Sequence, residues 1–502
     1  MTVQSIQHLT REDRRAAGRA CRDKVSRLSQ AQFDPMARKF DPIEVLRAAH
    51  AGRVEELLPL KFARMASTPF TFYRGAAPVM AADLAQLPRT GIDVQICGDA
   101  HVQNLGAYGG GPGGHLIFDI NDFDETIKGP WEWDVKRMAA SLILAGREAR
   151  NSERQCKDAV QHFSRTYRRT IRDLSELSVI ELARYQVTRH LNVSPVLSVL
   201  RKAEHATPQR NLAKLTIREN GKSVFRELID PEYQVPLQYR VPEATARQVL
   251  AALPGYVKTL LPERHHMFAQ YHPVDVGFRV VGTGSVGTRD YVVLMFAGAL
   301  DDPLVLQLKQ ELPSTYERWL PNADPPKHHG QRVVEGVRRM LVQFDIFMGW
   351  ANIDGRPYLV RQLKDHKAGV EDSDLEGKGL LQYAEVCGEL LAKGHARSGD
   401  PCMLSGYLGT AERFDGALVN FAVDYADQGT RDFEKLLKAI REGSVKALKP
   451  AHAEAKRPQE KKKPQKARKK PAGKTKGKAK SKKAPGKTKG KAKSKKKAKR
   501  KA

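Results

Sequence analysis

The chain has 502 residues, of which 41% are hydrophobic, enough apolar material for two or three packed units. Its formal charge of +29 is unevenly spread: residues 461–502 carry 23 Lys or Arg and no acid, which leaves 63 basic against 57 acidic residues elsewhere, so the electrostatic extreme belongs to the tail alone. Five scattered cysteines with no C-x-x-C pair argue for a reducing compartment and against a zinc ribbon, and no run approaches the ~18 apolar residues of a membrane span, so a cytoplasmic protein without a membrane partner is expected.

Residues 1–45 are polar and predict a basic helical segment. Residues 46–265 read as a larger, mainly helical region: helical spacing runs from Val54 through Leu57, Leu58, Phe62 and Met65. Within it the texture changes at 92–125, which predicts a short strand (92–96), a loop, a glycine-rich turn and a second strand (115–120). The positions Val135, Met138, Ala139, Leu142 and Ile143 then predict a buried helix, in which Trp131 and Trp133 are core residues rather than a stacking platform. A polar stretch near 204–223 reads as a connection. Residues 270–365 form a smaller β-rich region, with strand-length runs at FRVVGTG, YVVLMFAGAL, PLVLQLKQE and RPYLVRQL, the last after an Asp354-Gly355 turn signal. Helical spacing covers 331–350, and residues 366–445 return to helix.

The first chemical constellation is CGDAHVQN, residues 97–104, which places Asn104 five residues after Asp99. Protein kinases use this spacing because the Asp accepts the proton of an attacking hydroxyl while the Asn holds a magnesium ion on the nucleotide phosphates. Downstream, IFDINDFDE supplies Asp119, Asp122, Asp124 and Glu125 at a strand end, hard oxygen donors suited to magnesium. A helix cap or surface ion pair is the ordinary use of any one of these acids; their combination favours a site. His101 either orients the loop or satisfies a core hydrogen bond.

GDAHVQN resembles the catalytic loop of aminoglycoside phosphotransferases and choline-kinase-like enzymes. That resemblance sets Asp122 on the metal-binding Asp, ahead of Asp119 without excluding it, and Asp134 on the helix Asp that braces the catalytic loop; Pro130 stands where those families have an Asp. Residues 10–440 also resemble the domain-of-unknown-function 2252 family, a bacterial group, through ASTPFTFYRGAAPVMAADLA, ICGDAHVQN, FDINDFDET, GPWEWDVKRMAAS and AKGHARSGD.

The second constellation is GTGSVG, residues 282–287, between two strand-like runs. Gly282, Gly284, Ser285 and Gly287 would let the backbone approach phosphates. A strand, not a helix, follows, so the dinucleotide-binding reading fails and the strand–turn–strand cover of a protein kinase fits better. Lys309 then occupies the place of a phosphate-pairing lysine, with Glu335 as its ion-pair candidate; Arg74 and Arg361 are further candidate phosphate cations, and Asp400 and Asp427 have no assignable role. Kinases, however, place the glycine loop and lysine before the catalytic loop. Either the domain is circularly permuted, with the segment 387–400 resembling the helix that precedes a catalytic loop, or GTGSVG is an ordinary turn; the permuted order is the better fit.

The expectation is therefore an α+β, protein-kinase-like, two-lobed and circularly permuted fold using ATP and magnesium for phosphoryl transfer to an unidentified acceptor. Nucleotidyl transfer uses the same residues with the nucleotide reversed, and a non-catalytic kinase-fold scaffold is the alternative from a different class. The segment 450–502, with GKTKGKAKSKK at 473–483 and again at 486–496, has no apolar face and is expected to be disordered and to attract DNA or RNA without sequence preference through residues 461–502.

Overall fold

Alternating side chains build the larger sheet. In the strand Pro303–Gln310, Leu304, Leu306 and Leu308 are buried in the same core as Val249, Leu253 and Tyr256 of the helix Glu243–Val257, while Val305, Gln307 and Lys309 take the opposite face. The sheet has seven antiparallel strands in the order Gly349–Ile353, Arg356–Gln362, Pro303–Gln310, Asp290–Ala297, Tyr271–Arg279, Pro236–Arg240, Leu228–Ile229. The expected Asp354-Gly355 turn joins the first two: both residues have positive φ, 52° and 69°, and Ile353 pairs with Arg356, the two-residue geometry that Asp-Gly favours.

The computed structural model describes residues 9–109, 115–187, 192–298, 302–320, 326–363 and 368–451. Contacts gather Met1–Ala455 into one unit and Lys456–Ala502 into another. The tail, and with it the expected nucleic-acid segment 461–502, lies outside the described residues. No described helix is long and apolar enough to cross a membrane.

The main core lies among the helices Trp131–Glu148, Glu153–Leu174, Lys378–Ser398 and Arg413–Arg441. Trp131 and Trp133 belong to it, Trp131 stacking on Tyr167 with 5.8 Å between ring centroids. Two small sheets lie against these helices. Asp93–Ile96 pairs with Ile127–Pro130, and Leu105–Gly109 lies between Leu116–Ile120 and Ala368–Gly369. The N-terminal basic segment becomes the helix Arg11–Lys24, started by a Thr10–Asp13 capping box, and then the helix Pro42–Ala49. The chain is thus of mixed α+β class.

Three local expectations are corrected. Residues 216–240, which begin inside the stretch 204–223 read as a connection and continue into the expected helical region, contain four short strands: Asn220 and Gly221 take the positive φ of a hairpin turn and Thr216–Glu219 pairs with Lys222–Phe225. The helix expected over 331–350 is His329–Met340, and Gly349–Ile353 beyond it is an edge strand of the seven-stranded sheet. Residues 105–109, read as loop, form a strand.

Candidate functional site

The turn after the strand Asp93–Ile96 is held from beneath by one carboxylate. Asp134, in the first turn of the helix Trp131–Glu148, accepts from the backbone N–H groups of Cys97 at 2.7 Å and Gly98 at 2.9 Å. Gly98 has φ +84°, and a Cβ there would meet the Glu125 carbonyl oxygen at 2.3 Å, so only glycine brings the turn this close to the acidic segment. Asp99 follows, its Oδ1 accepting from Arg137 Nε at 2.6 Å. Burial pushes the Asp99 carboxyl up, but Arg137, His101 and Arg74 outweigh it and hold the group below the ordinary carboxylate range. Asn104 Nδ2 donates to the Asp99 carbonyl at 2.6 Å, which fixes the amide within the cleft. His101 is buried, its Nδ1 accepting from Gln103 N–H at 3.2 Å and its Nε2 3.8 Å from Asp99; burial lowers its pKa to about 3, so the ring is neutral.

The opposite wall comes from the seven-stranded sheet. Gly282, Thr283, Gly284, Ser285, Lys309 and Glu311 line the same cleft as Asp99, His101, Asn104, Asp122, Asp124 and Arg74, a space of about 110 Å³. Lys309 forms an ion pair with Asp124, and Ser285 Oγ donates to the same carboxylate at 3.1 Å. Burial would lower the Lys309 amine, but Asp124 and Asp122 raise it above its ordinary value, so it is a firm cation. Asp122 Oδ1 accepts from Asp124 N–H at 3.3 Å. Arg74 lines the cleft with a buried Nε that has no hydrogen-bond partner among the described residues.

The glycine loop is fastened from its outer side. Arg53 donates to the carbonyls of Gly284 at 3.0 Å and Val286 at 2.8 Å, Lys61 to those of Thr283 at 3.2 Å and Gly284 at 2.5 Å, and Arg64 to that of Gly282 at 2.6 Å. Gly287 differs from the other loop residues expected at the nucleotide: it turns toward the N-terminal segment, its carbonyl accepting from Val54 N–H at 2.7 Å and its Cα facing Arg53 and Leu58, and it does not line the cleft.

Two expected site residues lie away from the cleft lining. Asp119, a candidate metal ligand, is 1% exposed and paired with Lys393, itself fully buried on the helix Lys378–Ser398, so its carboxylate supports the core and does not face the cleft. Glu335, the expected partner of Lys309, lies on the outer face of the helix His329–Met340, bonded to Gln331 at 2.8 Å and 3.5 Å from Arg339. The side chain of that helix that reaches the site is Arg332, which donates to the carbonyls of Thr126 at 2.6 Å, Asp124 at 2.8 Å and Leu312 at 3.0 Å and so ties the acidic segment to the sheet.

Beside the cleft, and meeting it at Asp124, is an apolar cavity of about 220 Å³ lined by Tyr108, Ile120, Phe123, Val337, Phe344 and Leu359 among others. Arg361, a candidate phosphate cation, lines this cavity, bonded to Gln307 at 3.0 Å. Asp400 caps the helix Pro401–Leu408 and lies 3.4 Å from Arg14; Asp427 pairs with Arg147 at 2.8 Å; both are structural. Arg137 and Arg332 were missed. Arg137 had a signal, a charge one turn after Asp134 on an otherwise apolar helix face; Arg332 had none.

Among the described residues no three Asp, Glu, His or Cys side chains are grouped closely enough to hold a metal ion by themselves. Magnesium in nucleotide sites takes one or two protein oxygens and completes its shell with phosphates and water. Asn104 and Asp122, adjoining in one cleft, supply oxygens of that kind. Comparison with curated proteins and with solved structures finds no match. The family model described as an uncharacterized protein conserved in bacteria, DUF2252, matches residues 53–439, a span holding every cleft residue named above. With most of its length covered by that match, the chain belongs to the DUF2252 family.

Proposed function

We propose that the protein is an ATP- and magnesium-dependent phosphotransferase with a kinase-like, circularly permuted, two-lobed arrangement. One observation carries the reading: Asp99, Asn104 and Asp122 share a cleft with Lys309 and the loop 282–285, segments far apart in sequence and in the reverse of the usual kinase order. The apolar cavity that adjoins at Asp124 suits a flat purine ring, and Asp99 lies outside it, in the cleft. A nucleotide seated base-first in the cavity sends its terminal phosphate toward Asp99, which favours phosphoryl over nucleotidyl transfer.

In this reading Lys309 and Arg74 hold the phosphates, and the glycine loop, fastened by Arg53, Lys61 and Arg64, is a rigid roof over them. Magnesium at Asn104 and Asp122 would neutralise phosphate charge. Asp99 orients the acceptor hydroxyl and takes its proton. Because Arg137 keeps that carboxylate weakly basic, its contribution is positioning, with proton transfer late in the reaction. Asp134 keeps the loop in register from below.

Calorimetric titration of the full chain with ATP tests the proposal. Binding that requires magnesium and falls at least about tenfold in Asp122→Ala is expected. A chain that binds no nucleotide with or without magnesium refutes it, and acceptor products heavier by AMP instead of phosphate would replace phosphoryl by nucleotidyl transfer.

A further inference from the structure

Glu311 lies two residues beyond Lys309, and its N–H still pairs with the Pro357 carbonyl at 2.9 Å, so the two side chains leave an extended backbone on the same side. Both line the cleft. Glu311 is 3% exposed, and its buried Oε1 has no hydrogen-bond partner among the described residues. A buried carboxyl oxygen without a hydrogen bond is costly, and burial with Asp124 nearby pushes the Glu311 carboxyl well above the ordinary carboxylate range against the pull of Lys309 and Arg332. Its retention beside a cleft points to a partner that arrives in another state of the protein.

The cations nearby narrow the choice. Arg332 is committed to three backbone carbonyls, and Arg53 and Lys61 to the carbonyls of the glycine loop. Lys309 is held by Asp124, whose neighbour Asp122 faces the same space. A divalent cation entering beside Asp122 and Asp124 repels the ammonium and competes for the carboxylate that holds it.

We infer that Lys309 changes partner when magnesium and nucleotide bind, passing from Asp124 to Glu311. This rests on the phosphotransferase reading. In the free protein Lys309 neutralises the acidic segment; in the loaded protein Glu311 steadies the same ammonium against the phosphates. Glu311, on the lysine's own strand, is thus the positioning residue that Glu335 was expected to be. It touches neither metal nor phosphate and acts through Lys309.

A double-mutant cycle on the full chain tests this, using magnesium with the non-hydrolysable β,γ-methylene analogue of ATP and calorimetric affinity as the readout. Glu311→Gln keeps the shape of the side chain but cannot become anionic when the ammonium turns to it. It is expected to weaken binding about tenfold on the natural background and less than about twofold in Lys309→Met, with Glu311→Asp recovering part of the loss. Should Lys309→Met not fold, Lys309→Gln serves as the second background. Unchanged affinity in Glu311→Gln, or an equal loss on both backgrounds, overturns the exchange, the latter by making Glu311 a direct ligand or a purely structural group. If the unsubstituted chain binds no magnesium-nucleotide at all, the phosphotransferase reading itself fails, a result the cycle separates from failure of the exchange alone.

Discussion

At Asp290 a single carboxyl group carries a pH dependence of the whole fold. It is fully buried opposite Lys309 in the sheet; Oδ2 accepts from Gln307 at 2.6 Å and Oδ1 has no hydrogen-bond partner among the described residues. Burial raises its pKa from 3.8 to about 7, against the opposing pull of Lys309, Gln307, Arg361 and Arg279. Between those values the folded chain keeps a proton that the unfolded chain has released. Stability therefore falls as pH rises from about 4 to about 7, by up to about 1.4 kcal/mol per pH unit, and levels off above. Asp290→Asn, which retains the oxygen facing Gln307, removes this component, and urea unfolding of both proteins at pH 5 and pH 7.5 measures it. A difference between the two pH values that is the same in both proteins would show that Asp290 does not titrate in this window. At this scale sequence was informative where chemistry fixes spacing. Asp99 and Asn104, picked out by their five-residue spacing, do line one cleft. Asp122 was set ahead of Asp119 by resemblance only, without excluding Asp119, because what distinguishes them physically is Lys393, far along the chain and paired with Asp119. Glu335 failed for a similar reason: Gln331, Glu335 and Arg339 form an outer ladder at helical spacing, and only the packing of Val333, Val334 and Val337 tells which side is outer.

Among elements, the turn between Asp93–Ile96 and Asp99 bears the tightest constraint. Two backbone amides converge on Asp134, and Glu125 presses on Gly98 from the other side. Gly98→Ala adds a methyl group 2.3 Å from a backbone oxygen at a positive φ, so neither side-chain rotation nor a small shift relieves it. The expected cost is about 3 kcal/mol or more, from the left-handed backbone and the overlap together, read as a lowered urea midpoint with unchanged slope. Loss of less than about 1 kcal/mol would mean that the turn moves away from Glu125 freely. Long, strongly patterned elements were legible: the helix Trp131–Glu148, the strands Asp290–Ala297, Pro303–Gln310 and Arg356–Gln362 and the closing helices were read from the sequence, whereas the strand Tyr271–Arg279 lies mostly ahead of the run FRVVGTG that was read as one. Two of the short strands were not legible. Leu105–Gly109 is rich in small residues and Gly349–Ile353 continues a helical apolar spacing, so neither announces itself, and each is a strand because Leu116–Ile120 or Arg356–Gln362 offers its edge. The site is assembled from such pairings, which is why its acids were identifiable before its walls.

For the whole molecule, charge divides the chain into two regimes. Residues 1–460 are close to balance, whereas 461–502 hold 23 cations with no acid and no aromatic residue. If the lysine-rich segment meets a nucleic acid, the contact is with phosphates alone, since nothing in it stacks on bases or reads their edges. Each phosphate neutralised releases about one counterion, so the logarithm of affinity falls with the logarithm of salt at about 0.9 per contact. Full-length protein titrated with a duplex of arbitrary sequence should bind tightly at 50 mM salt, lose about a thousandfold or more by 200 mM if six or more phosphates are engaged, and bind a scrambled duplex equally. A chain ending at Ala455, the limit of the first unit, should lose this binding while retaining its affinity for magnesium and ATP. The two measurements are independent because the cleft draws all its residues from the first unit. Truncated protein that holds DNA with the same salt slope would move the nucleic-acid surface onto the folded unit. If truncation instead abolishes nucleotide binding, the lysine-rich segment is part of the phosphotransfer machinery and not a separate appendage.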